Sequence, residues 1–67
     1  MVDKNRKLVL ALLDNRMNQR DLSRAAGIHE TRVSLIVNGR FIPSQKEADL
    51  IAKALKKDAG YLFKQVA

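Results

Sequence analysis

Gly27 divides the segment NQRDLSRAAGIHETRVSLIVNG, from Asn18 to Gly39, into two short stretches with helical spacing of their apolar residues. The segment reads as two helices joined by a tight turn. The second helix carries an apolar stripe on one side and short polar residues on the other. One face is therefore committed to a core and the other is left for a partner.

A chain of 67 residues is expected to make one domain. A domain of this size buries only about 60% of its unfolded surface, so its stability is marginal. It has no cysteine and one histidine, so no disulfide braces it and no zinc site is expected. No apolar run approaches the roughly 20 residues that span a bilayer. The N-terminus, MVDKNRK, carries no signal-peptide h-region. These features fit a cytoplasmic chain. The net charge of +6 favours a polyanionic partner. The arginines, Arg6, Arg16, Arg20, Arg24, Arg32 and Arg40, all lie in the first forty residues. Arginine suits phosphate and guanine recognition better than lysine, because its planar fork bonds bidentately. A basic but merely solvated surface is the alternative.

The pattern predicts five helices and no strand, an all-α fold. The first covers residues 4–15, with Leu8, Val9, Leu12 and Leu13 at helical spacing and Asp3 as cap. The second covers residues 19–26. Asn18 caps it, Asp21 completes a capping box, and Leu22, Ala25 and Ala26 face inward. Gly27 supplies a left-handed end. The third covers residues 30–37 and stops at Asn38-Gly39. Ser44 and Glu47 form a capping box for the fourth, residues 45–57, whose inner stripe is Ala48, Ile51, Ala52 and Leu55. Lys53, Lys56 and Lys57 suit the negative end of its dipole. Asp58 caps a last helix, residues 59–65, with Tyr61, Leu62 and Phe63 packing.

At about 100° per residue, Val33, Ile36 and Val37 fall on one side of the third helix. Thr31, Ser34, Leu35 and Asn38 fall on or near the other, and Arg32 flanks the stripe. The spacing expels Leu35. An exposed leucine among such residues can touch a thymine methyl in a major groove while its neighbours bond base edges or phosphates. A stray surface leucine and a dimer contact remain alternatives.

The residues Gln19, Leu22, Ala26, Gly27, Val33, Ile36, Asn38-Gly39, Pro43-Ser44, Ile51-Ala52-x-Ala54-Leu55 and Leu62 together resemble the helix-turn-helix family of lambda-repressor and Cro type, often called the Xre family. The likeness runs from about Asn5 to Phe63, and the short chain is similar to small phage Cro-type repressors. It implies a compact five-helix DNA-binding domain. It implies base readout by Glu30, Thr31, Ser34 and Leu35. It implies phosphate contacts by Gln19, Arg20, Arg32, Asn38 and Arg40, with Gln19 also steadying the first recognition side chain. Arg16 and the start of the first helix are further phosphate candidates.

The chain departs from the family pattern at four places. His29 stands where Ser or Thr often caps the third helix. Histidine is a poor cap, so a shifted helix start or a phosphate contact by His29 is open. Glu30 stands where glutamine often binds adenine; it would accept from cytosine N4, or simply favour the helix dipole. Leu12 and Val37 take positions where some phage members hold an ion pair, and are expected to be buried against each other. Lys56-Lys57 replaces the usual Gly-Val after the fourth helix, implying a joint that is more helical or looser.

The resemblance thus implies a sequence-specific regulator of transcription, a repressor bound as a homodimer to a near-palindromic operator in double-stranded DNA. Phe41, Ile42, Tyr61 and Phe63 are candidates for the dimer surface or for the core. No cofactor, metal, membrane or small-molecule ligand is expected, and no constellation of catalytic residues is present. A protein-interaction module, as in antitoxin-type subunits that reuse the fold, is the alternative.

Overall fold

The computed structural model describes residues 4–63. It is all-helical over that range: α1 (Arg6–Asp14), α2 (Gln19–Ala26), α3 (Glu30–Val37), α4 (Gln45–Leu55) and α5 (Ala59–Leu62). α2 packs on both α3 and α4, and α5 joins α4 to α1. No helix is long and apolar enough to cross a membrane among the described residues.

One core serves all five helices. Leu8, Leu22, Val33, Ile36, Ile51 and Leu55 are its largest fully buried side chains. Ala48 and Ala52 complete the expected stripe of α4. Ala26 is buried, which lets α2 approach its neighbours closely, but Ala25 is exposed and does not face inward as expected. α1 is also rotated from the sequence reading. It buries Leu8, Ala11 and Leu12, keeps Val9 half-buried, and leaves Leu13 66% exposed. Six apolar residues in a row, Leu8 to Leu13, leave more than one inner face compatible with helical spacing. Leu12 and Val37 are both buried in this core.

The helix starts follow local hydrogen bonding. Asn18 and Asp21 make a reciprocal capping box at α2, and Ser44 and Glu47 make one at α4. Asp58 caps α5 by accepting the Tyr61 N–H. α1 begins later than expected. Its cap is Asn5, whose side chain accepts the Leu8 N–H at 3.0 Å; Asp3 lies outside the described residues. α5 ends at Leu62, short of the expected residue 65; residues 64 and 65 are outside the described range.

The helix ends share one device. Arg16, Gly27, Gly39 and Lys56 all have φ between 54° and 72°. Each is followed by a backbone N–H that reaches back to a carbonyl of the last turn: Met17 to Leu12, Ile28 to Ser23, Arg40 to Leu35 and Lys57 to Ala52. Two of these left-handed positions are glycine, as the sequence predicts. At the other two a basic side chain occupies the glycine niche. The joint before α5 is thus a left-handed turn at Lys56. α4 stops at Leu55 rather than Lys57 for this reason.

Candidate nucleic-acid interface

The turn between α2 and α3 is set by Gly27 at φ 71°, where an L side chain is strained. The Ser23 hydroxyl donates to the Ile28 carbonyl across it, and Ile28 is buried beneath it. α3 therefore leaves the turn at a fixed angle. Its start does not shift. His29 is its cap: Nδ1 accepts the Thr31 N–H at 3.1 Å, which requires a neutral ring with the proton on Nε2. The imidazole does the work that a serine oxygen does in a conventional cap.

Val33, Ile36 and Val37 are buried, so the opposite side of α3 is turned outward. Thr31 is exposed, Leu35 is 38% exposed, and Ser34 and Asn38 are half-buried. Lys4, Ser34, Leu35, Asn38 and Arg40 line an open groove of about 440 Å³. Lys4 is brought there because the neighbouring Asn5 N–H donates to the Val37 carbonyl at 3.0 Å. The groove gathers two cations, two polar side chains and one apolar surface around the end of α3. Such a set suits an acidic, hydrogen-bonding ligand with apolar edges.

The other expected contact residues are engaged in different ways. Glu30 does not stand alone at the first turn of α3. Arg20 Nε lies 3.6 Å from its carboxylate, so an α2 cation accompanies the acid. Gln19 is half-buried at the start of α2. Asn38 folds back on α3, its side-chain amide donating to the Ser34 carbonyl at 2.8 Å and lying 3.4 Å from the Ser34 hydroxyl. Arg40 is exposed just beyond the helix.

Arg32 is turned sideways, toward α4. Its Nε lies 2.8 Å from a carboxylate oxygen of Glu47, and its guanidinium stacks 4.3 Å from the centre of the Phe41 ring. The Ser44 N–H, the Arg32 guanidinium and the Ser44 hydroxyl hold the Glu47 carboxyl below its usual range, against the opposing effect of partial burial. No residue-spacing signal links Arg32 to Glu47; the connection exists only once α3 and α4 are both packed on α2.

The dimer candidates separate by burial. Phe63 is in the core and Phe41 packs against it, whereas Ile42 and Tyr61 are 65% and 49% exposed. Lys7 sits over the Tyr61 ring at 4.7 Å.

No curated protein matches the chain. A helix-turn-helix family model matches residues 10–62 of the 67-residue chain, taking in all of α2, α3, α4 and α5. With the turn at Gly27 and the outward face of α3 in place, the chain belongs to the Cro-type, Xre-like helix-turn-helix family of DNA-binding regulators.

Proposed function

We propose that this chain is a sequence-specific repressor that binds a near-palindromic operator as a homodimer, with α3 of each protomer in the major groove. The observation that carries this reading is the division of α3 between a buried stripe and an outward face of Thr31, Ser34 and Leu35, rimmed by Lys4 and Arg40. Glu30, Thr31, Ser34 and Leu35 read base edges, Glu30 by accepting from a cytosine N4 and Leu35 by covering a thymine methyl. Arg40 and Gln19 hold phosphates on either side. Arg20 and Asn38 reach phosphates after giving up their partners Glu30 and Ser34. Exposed Ile42 and Tyr61 supply the apolar part of the dimer surface.

Selection from random duplexes at two salt concentrations tests this reading. It should enrich two inverted half-sites about one helical turn apart. Affinity should be of nanomolar class and fall steeply with salt. If no motif emerges, the outward face of α3 serves a protein partner instead.

A further inference from the structure

Arg32 joins three parts of the molecule. It projects from α3, stacks on Phe41 in the connection after α3, and pairs with Glu47 in the first turn of α4. Glu47 uses both carboxylate oxygens: one accepts the Ser44 N–H at 2.9 Å, and the other faces Arg32. Its side chain is only 17% exposed, while that of Arg32 is 48% exposed. A single carboxylate thus ties the cap of α4 to the flank of α3.

The position of Arg32 on α3 gives this tie its effect. It lies about 100° around the helix from Val33, on the flank opposite Ser34. Val33, Ile36 and Val37 hold α3 against the core through non-directional contacts, which leave a short helix some freedom to roll. A charge-assisted hydrogen bond on one flank is directional and restrains that roll. Readout by α3 needs side chains placed within about 0.5 Å.

We infer that Arg32 is a positioning residue rather than a phosphate ligand: with Glu47 and Phe41 it fixes the rotation of the recognition helix about its own axis. This rests on the reading of α3 as the helix that enters the groove. Swinging Arg32 to a phosphate would strip a mostly covered carboxylate of its cation, beside a polyanion. The ring face of Phe41 would be uncovered at the same time.

The test uses Arg32→Ala, Glu47→Gln and Phe41→Leu with the duplex that the unaltered chain selects, titrated across salt concentrations. Gln keeps the capping acceptor for Ser44, so Glu47→Gln retains the α4 start. Each variant should bind about tenfold more weakly, within the range of coupling between touching residues, with an unchanged salt slope. Arg32→Ala/Glu47→Gln together should be no weaker than Arg32→Ala alone. Amide hydrogen exchange of α3, read without DNA, should quicken in all three. A phosphate ligand behaves in the opposite way: Arg32→Ala lowers the salt slope by about 1, and Glu47→Gln, by removing an acid and freeing Arg32, tightens binding. Either of those results, or unchanged α3 exchange in Arg32→Ala and Glu47→Gln, overturns the inference. Failure of the unaltered chain to select any duplex counts against the groove reading, and the exchange measurement then still decides whether the clip restrains α3.

Discussion

The backbone N–H of Asn5 donates to the carbonyl of Val37 at 3.0 Å, closing the last turn of α3 against the start of the chain's first helix. The same residue caps α1 through its side-chain oxygen and donates its side-chain N–H to the Leu62 carbonyl at 2.8 Å. One asparagine therefore joins α1, α3 and α5. Asn5→Ala removes the cap and the link to Leu62 but leaves the backbone bond. The loss should be about 1–3 kcal/mol, from a cap and one partly buried hydrogen bond. Urea unfolding measures it, and a loss near zero would show that α1 is capped in another way.

How much of this was legible beforehand differs from residue to residue. Asn18 with Asp21, Ser44 with Glu47, and Gly27 act within a few residues of themselves, so their types and spacing announce the helix ends. The buried stripe of α3 is legible for the same reason, since its period is local. Asn5 is not: Asp3 and Asn5 are equally good caps by type, and the partners that single out Asn5 lie at Val37 and Leu62. Nothing near Arg32 in the sequence announces Glu47, which meets it only once α3 and α4 are both packed on α2. Arg20 and Glu30 meet only across the turn at Gly27.

Lys56 adopts φ 57°, a left-handed conformation that costs a side-chain-bearing residue about 1 kcal/mol or more relative to glycine. Lys56→Gly should raise stability by about 0.5–1 kcal/mol, less any favourable dipole interaction lost with the lysine charge. A higher melting temperature with unchanged DNA affinity is expected. A lower one would mean that the lysine charge outweighs the backbone strain.

Glu47 gives the fold an acid-sensitive point. Its carboxyl is held below the usual range, first by the Ser44 N–H and also by Arg32. A carboxylate with a lowered folded pKa contributes stability that is present above the unfolded value, about 4.3, and is lost as pH falls through the folded value. Melting temperature should therefore drop less between pH 7 and pH 3 in Glu47→Gln than in the unaltered chain. Parallel profiles would assign the acid sensitivity to other carboxylates.

Leu35 is exposed enough that its truncation should leave folding nearly intact. Leu35→Ala should cost about 1 kcal/mol or more on the selected duplex, confined to one thymine-containing position per half-site. Competition binding against single-base variants reads this directly. Loss of dimerisation with an unchanged base profile would place Leu35 at the subunit contact instead.

Glu30 opens α3 with an acid, paired to Arg20 at 3.6 Å. The central claim, that the outward face of α3 reads bases, is tested most directly by repeating the random-duplex selection with Glu30→Gln beside the unaltered chain. Glutamine binds adenine bidentately, whereas glutamate accepts from cytosine. One base pair in each half-site should change from C·G to A·T while the rest of the motif stays. Identical motifs from the two proteins would contradict the claim.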